Sequence, residues 1–229
     1  MSPRSRPDDR VVEAAEATRG PGGEQALAAL VELHREIDEA VAQVASRHAG
    51  RLRCGRGCAA CCLDDLTVRP IEAERIRRRQ GRLLREGSPH PPGACAFLDD
   101  AGACRIYEDR PSVCRSQGLP LRVLFEDEAD EIAERRDICP LNLEGGPPLE
   151  ALDETDCWLV GPHELRIAAL DAAFEAELRP GSDASDSVLG AGADEPARVP
   201  LRSLFEASRG SDVPESSRAS RPPSAGPGR

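Results

Sequence analysis

The chain has 229 residues, nine of them cysteine, and sets 41 acidic side chains against 30 basic ones, all arginine, for a formal charge of -11. Only 39% of residues are apolar and 3% aromatic, while 20 are glycine and 20 proline, which predicts one modest core with unpacked ends. No apolar run nears the roughly 20 residues of a membrane span, Met1 to Arg10 lacks the apolar stretch of a secretory leader, and the acidic balance argues against a general nucleic-acid binder.

Residues 1–23 mix Pro, Arg, Asp and Gly without periodicity and read as a disordered lead-in. From Glu24 to Ala49, Leu27, Leu30, Val31, Ile37, Val41 and Val44 recur at three- and four-residue spacing, the pattern of an amphipathic helix stopped by Gly50. His34 lies on or beside this stripe, where a lone histidine is expected to be packed or solvated rather than a ligand. A second helix is expected from Pro70, which suits a first helical position, to about Gly81. Glu72 and Glu74 fall at its positive end. Ala96 to Leu98, a turn at Asp99 to Gly102, and Cys104 to Tyr107 predict a short β-hairpin. Leu121 to Phe125 reads as a further strand, and the acidic stretch Glu126 to Glu134 as a solvating run.

A third helix is expected over Pro162 to Leu178, with Leu165, Ala168, Ala169, Ala172 and Phe174 on one side. Residues 180–229 are dense in Ser, Pro, Gly, Asp and Ala and predict a disordered tail. Within it only Val199 to Ala207, with Leu201, Leu204 and Phe205, could form a transient helical turn or docking motif. The folded part is therefore 24–179, which also holds most of the acidity. The fold class that follows is α+β, mostly helical: a small single domain with a short β-hairpin and cysteine-rich loops. The missing lysine is what a GC-rich genome produces, and carries no functional inference.

Nine thiols without an export signal imply a reducing, cytoplasmic setting, where disulfides are rare and clustered cysteines bind metal. The first cluster is Cys54-x3-Cys58-x2-Cys61-Cys62. Cys58 and Cys61 are spaced so that two sulfurs can converge on one ion, and Gly55 and Gly57 permit a tight chelating loop. Cys61 and Cys62 are adjacent, so their side chains point apart. That suggests two neighbouring sites, or one ligand beside a supporting thiol. The second cluster is Cys95-x8-Cys104-x9-Cys114, with Cys95 and Cys104 on the paired strands of the hairpin and Cys114 on a helical turn begun near Pro111. Cys139 follows in Cys139-Pro-Leu-Asn142. Cys157 precedes Trp158 and reads as packing. Arg53, Arg105 and Arg115 adjoin cysteines, and Arg51, Arg56 and Arg136 lie within three positions. Guanidinium groups there would offset thiolate charge.

These residues resemble the YkgJ-type cysteine-cluster proteins, a family of zinc- or iron-chelating domains. The likeness rests on the first cluster, on Cys95-Ala-Phe-Leu, on Gly102-Ala-Cys104-Arg-Ile-Tyr107, on Arg110-Pro-Ser-Val-Cys114-Arg115, and on Cys139-Pro-Leu-Asn142. It covers about 54–142. The resemblance implies eight family cysteines, here Cys54, Cys58, Cys61, Cys62, Cys95, Cys104, Cys114 and Cys139, with Cys157 outside the set. Eight thiolates could fill two tetrahedral zinc sites or hold one iron–sulfur cluster with some left over, and ligand softness does not separate zinc from iron.

Three rivals stand beside metal binding. The Cys54–Cys58–Cys61 spacing is shared with radical S-adenosylmethionine enzymes, but no run of repeated strand–helix units follows it. A related domain accompanies flagellin lysine N-methylases, which keeps open an iron–sulfur-dependent modifying or redox enzyme. A nucleic-acid-binding zinc module would use Arg75, Arg77, Arg78, Arg79, Arg82 and Arg85, a stretch better read as a solvated helix face. No catalytic residue stands out, so the expected partner is a metal ion, with no membrane and no protein partner named by the sequence.

Overall fold

The computed structural model describes residues 23–178 and 197–210. The lead-in expected at 1–23 falls outside this range except for Gly23, as do residues 180–196 and 211–229 of the expected tail. The described residues form an α+β fold of five helices and two small sheets.

Helix α1 spans Glu24–Arg47. Leu27, Leu30, Leu33, His34, Ile37 and Val44 are buried along one face, whereas Val31, expected in the stripe, is 46% exposed. The chain enters α1 through Gly23 at φ +92, where an added Cβ would lie 2.3 Å from the Phe174 ring. Only glycine allows both that backbone and that approach. Strand β1 (Thr67–Val68) leads into α2 (Pro70–Glu86). The stop expected at Gly81 is instead an interruption at Gln80 (φ -116, ψ 19), after which the helix continues. Fully buried Leu84 gives the extra turn a place in the core.

The one-turn helix α3 (Ser112–Arg115) precedes strands β2 (Leu121–Glu126) and β3 (Ile132–Asp137). These two form an antiparallel hairpin, and β4 (Trp158–Val160) joins β2 in parallel, giving the order β3-β2-β4. The acidic run at 126–134 is thus the hairpin's turn and far strand. Asp127 accepts the Ala129 and Glu131 amides at 2.8 and 3.0 Å to close the turn, the Asx geometry that lets a carboxylate shape its own backbone. The hairpin expected at 96–107 reduces to a tight turn with one bridge, Leu98 to Cys104. Its backbone curls at Asp99, whose carboxylate accepts the Ala101 and Ala103 amides.

Helix α4 spans Pro162–Leu178, as its sequence predicts, but buries Ile167, Asp171 and Phe174 while Leu165 is 73% exposed. It also serves the N-termini of two other helices, which have no side-chain cap of their own. Glu177 accepts the amides of Gln25 and Ala26 at the start of α1, and buried Asp171 accepts the Ile71 amide at the start of α2 at 2.8 Å. Those amides are the orphan donors of a helix start, and a carboxylate there also meets the positive end of the dipole.

The expected disordered tail is corrected over residues 199–206. Strand β5 (Val199–Pro200) pairs antiparallel with β1, and helix α5 (Ser203–Gly210) follows. Leu201, Leu204 and Phe205 are at most 2% exposed. They close a core with Val68, Ala73, Ile76, Phe97 and Ile106, and Phe205 meets Phe97 with ring centroids 5.0 Å apart. The low-complexity sequence around this segment masks three apolar side chains at helical spacing. A second core joins α1, Ile71, Leu119, Trp158 and α4. Helix α2 lies between the two, contributing Ile71 to one and Ile76 to the other.

If the C-terminal segment belongs to the cooperative fold, Phe205→Ala lowers unfolding free energy by about 3–5 kcal/mol. The measurement is a urea transition. A midpoint equal to that of the parent chain would remove the segment from the core.

Candidate metal centre

The cysteines sit on loops, so what fixes each loop fixes its thiol. The loop after α1 is anchored by Arg51, whose Nε and Nη2 donate to the carbonyls of Asn142 and Leu143 at 2.7 and 3.0 Å. Asn142 is 0% exposed and bonds in four directions. Its Oδ1 accepts the Arg53 amide at 2.7 Å, its Nδ2 donates to the Gly118 carbonyl at 2.7 Å and to Cys54 Sγ at 3.3 Å, and its amide reaches the Cys139 carbonyl at 2.8 Å. One side chain therefore ties Cys54 and the Gly118 loop to the turn that follows Cys139. Gly118 has φ +93, and a Cβ there would stand 2.4 Å from Cys54 Sγ, so the approach requires glycine.

Further along, two tight turns set the remaining thiols of the first cluster, with the Cys58 amide on Gly55 O and the Cys62 amide on Ala59 O, both at 3.0 Å. The Cys95 amide then bonds the Cys62 carbonyl at 2.9 Å, joining the two clusters. Cys104 follows across the Leu98 bridge. Cys114 rides on α3, whose start is held by Glu72 accepting the Ser112 amide at 2.8 Å.

These loops enclose a cavity of about 740 Å³ lined by Cys54, Cys58, Cys61, Cys62, Cys95, Cys104 and Cys114. Cys139, expected in the same set, is not on the lining and connects to it through Asn142. Cys157 is buried next to Trp158, away from the cavity lining. All nine thiols are free. Among the described residues no group of three or more His, Cys, Asp or Glu is placed to hold a metal ion. The thiols stand around the cavity wall rather than converged on one point. The donor chemistry fits a soft metal, since thiolates select zinc, copper(I) and iron–sulfur clusters.

Electrostatics follow from packing sulfurs together. Against the expectation that the adjacent Cys61 and Cys62 side chains point apart, Cys61 accepts a hydrogen bond from the Cys62 thiol, which brings it down to about 6 against the opposing effect of burial. Cys62, the donor, moves up, and burial and the neighbouring Cys61, Cys95 and Cys114 add to the shift. Burial pushes Cys114 up to about 12, with Cys95, Cys104 and Cys61 contributing. Burial also raises Cys95, Cys104 and Cys54. The set thus resists ionising together until a cation shares the site. The arginines expected to offset this charge act chiefly as loop anchors. Arg105 donates to the carbonyls of Ala96 and Phe97, and Arg136 to those of Leu149 and Leu152. The basic stretch of α2 is likewise engaged. Arg75, Arg77, Arg78, Arg79 and Arg82 pair with Asp109, Glu74, Glu24 and Glu86.

Behind Cys114 lies a buried polar group that the sequence does not announce. His34 Nε2 is 3.0 Å from Ser112 Oγ and 3.4 Å from Glu72 Oε1, and Ser112 Oγ donates to Glu72 Oε1 at 2.8 Å. Arg115 Nη2 donates to His34 Nδ1 at 3.2 Å, and its Nη1 pairs with Asp38. Because arginine keeps its protons, Nδ1 must be the acceptor, and the neutral ring carries its proton on Nε2. That nitrogen is then a donor and does not serve as a base for Ser112. The constellation is a scaffold for the α3 turn, and His34 is packed, as its isolation in sequence predicts. Burial lowers His34 below its ordinary 6.5. Burial alone would raise Glu72, but hydrogen bonds from His34 and Ser112 hold it below its ordinary 4.5.

The family described as "CxxCxxCC: Putative zinc- or iron-chelating domain" matches residues 53–140. That span contains all eight cysteines from Cys54 to Cys139 and excludes Cys157, Asn142 and the segment at 199–206. Nothing among curated proteins or solved structures matches the chain. The match coincides with the resemblance read from the sequence. The sequence reads Glu72 only as an acid at the start of the second helix, offers Asn142 only its place three residues after Cys139, and gives Gly118 no role.

Two outcomes test this architecture. Asn142→Ala strands buried groups at about 1–3 kcal/mol each, so it lowers stability and speeds alkylation of Cys54 relative to Cys157. As for pH, a histidine whose folded pKa lies below its unfolded value contributes stability that is full above the unfolded value and declines as the unfolded chain takes up the proton. Glu72 adds to the decline below its ordinary 4.5. Stability therefore falls on acidification from about pH 6.5, and His34→Gln reduces that slope between pH 7.5 and 5.5, as read from urea midpoints.

Proposed function

We propose, for a chain whose residues 53–140 match the family of zinc- or iron-chelating domains, that the cysteine cavity binds zinc or iron and that this binding is the biochemical role of the fold. The observation that carries the reading is the arrival of seven thiols from separate loops on the wall of one cavity. The ligand set is Cys54, Cys58, Cys61, Cys62, Cys95, Cys104 and Cys114, with Cys139 brought up behind Cys54 by Asn142. A bound metal would supply positive charge to thiols that otherwise resist ionising together, and its binding energy would add to folding energy.

Within this reading, seven thiols on one wall exceed the four that a single zinc ion takes, which favours an occupant with more than one metal atom, an iron–sulfur cluster or a pair of zinc ions. This keeps the redox or modifying-enzyme class alive without assigning a reaction. The ion-paired arginines of α2 weigh against the nucleic-acid module. No described helix is long and apolar enough to cross a membrane.

Protein purified without oxygen is expected to contain zinc or iron at more than one atom per chain. Iron with acid-labile sulfide and a broad visible charge-transfer band marks a cluster, colourless protein with stoichiometric zinc marks zinc sites, and protein free of both metals after reconstitution would end the metal reading. Cys61→Ser lowers metal content and melting temperature together, whereas Cys157→Ser leaves metal content at the parent level. A Cys61 variant with unchanged metal and melting temperature would remove that thiol from the ligand set.

A further inference from the structure

The matched domain ends at residue 140, yet one wall of the cysteine cavity comes from much later in the chain. Leu201 lines the cavity, and its amide bonds the Leu66 carbonyl at 3.0 Å. The next residue, Arg202, reaches into the loops that carry two of the thiols. Its Nε donates to Asp64 Oδ1 at 2.6 Å, its Nη1 to the His90 carbonyl at 2.7 Å, and its Nη2 to the carbonyls of Pro91 and Ala94 at 3.3 and 3.0 Å. Asp64 Oδ2 in turn accepts the Gly93 amide at 2.9 Å. A single guanidinium thus fastens the loop just after Cys62 to the loop just before Cys95. These are the two segments joined by the Cys95 amide on the Cys62 carbonyl.

Neither loop has a regular ladder of its own at this point. Without Arg202 three carbonyls lose their donor, and Asp64 loses its cation. The fork geometry matters, because an ammonium is a single point of charge and cannot reach three divergent carbonyls and a carboxylate at once. The segment bearing Arg202 is held independently, by the β1–β5 pairing and by burial of Leu204 and Phe205. The guanidinium is therefore presented from a fixed base.

We propose that Arg202 is a positioning residue for Cys62 and Cys95, so that the C-terminal strap at 199–206 completes a site whose ligands all lie in the matched domain. This rests on the reading of the cavity as a metal site. It assigns to the strap the task of holding the loops of Cys62 and Cys95, as Asn142 holds that of Cys54.

The test uses the full chain with Arg202→Ala, Arg202→Lys and, as a control on the same strap, Arg198→Ala, whose side chain bonds only Thr67 among the contacts described. Two readouts are taken. One is iodoacetamide labelling of metal-free, reduced protein, mapped cysteine by cysteine by mass spectrometry. The other is the rate at which a chelator removes zinc from zinc-loaded protein. Arg202→Ala is expected to speed labelling at Cys62 and Cys95 while Cys54 and Cys157 keep the parent rate. Zinc release is expected to rise about tenfold, the scale seen when support behind a metal ligand is lost. Arg202→Lys falls between, and Arg198→Ala matches the parent. Should Arg202→Ala fail to fold, Arg202→Lys carries the same comparison. Parent rates at Cys62 and Cys95, or an equal acceleration at Cys157, would overturn the proposal, since the first means no positioning and the second a general loosening. Failure of the parent chain to take up zinc or iron would instead end the metal reading, while the metal-free labelling map still decides whether Arg202 positions these thiols.

Discussion

A loop that carries thiols in place of a strand has carbonyl oxygens with no ladder to bond into, and buried carbonyls must still find donors. In this protein the donors are guanidinium groups. Arg51 bonds the 142–143 carbonyls, Arg105 those of 96–97, Arg136 those of 149 and 152, and Arg202 those of 90, 91 and 94. Each reaches a segment distant in sequence or across a turn and fixes two or more oxygens in one plane. Arginine can do this because its donors form a rigid fork, whereas an ammonium offers a compact point. The absence of lysine, whatever its genomic origin, leaves the chain with the residue its loops need. The fork also has more donors than each site can use. Arg51 Nη1 and Arg115 Nε are buried without a partner among the described residues.

Carboxylates answer the complementary need. The starts of α1, α2 and α3 lack a side-chain cap of their own, and Glu177, Asp171 and Glu72 provide acceptors from elsewhere in the fold. Two of these acids come from α4. That helix therefore orients α1 and α2 through polar contacts as well as through Ile167 and Phe174. Glu72 then extends the frame toward the site, because Ser112, His34 and Arg115 gather on it behind Cys114. Part of the acidity of the folded part is in this respect structural, serving helix starts and pairing with arginines.

The cavity is the product of these polar fasteners. Burial first, and neighbouring sulfurs second, hold most of these thiols protonated, and a loop-built wall has little regular structure of its own to place them. Asn142 secures the Cys54 loop, the Cys62–Cys95 backbone bond and Arg202 secure the loops of those two thiols, and α3 carries Cys114. Two of these supports, Asn142 and Arg202, lie outside the span that the family match covers, so the placing of the thiols draws on parts of the chain beyond it.

The sequence by itself determined where the thiols cluster and that sulfur is the donor they offer. Cysteine spacing, glycine-flanked loops and the Cys95-Ala-Phe-Leu and Cys139-Pro-Leu-Asn142 motifs marked the thiols, and three- and four-residue periodicity marked α1 and α4, because both signals are local. What tertiary structure decided is everything that depends on distant partners. Leu201, Leu204 and Phe205 looked like a solvated turn, since their apolar complement, around Phe97 and Val68, lies over a hundred residues away in the chain. Leu165 and Val31 looked like core and are exposed, because periodicity gives a face's spacing but not which neighbour covers it. The roles of Asp171, Glu177 and Arg202 have no local signature at all, and Asn142 has only its place three residues after Cys139. A carbonyl or an orphan amide elsewhere gives each its function, and only the folded chain brings that partner within hydrogen-bond reach.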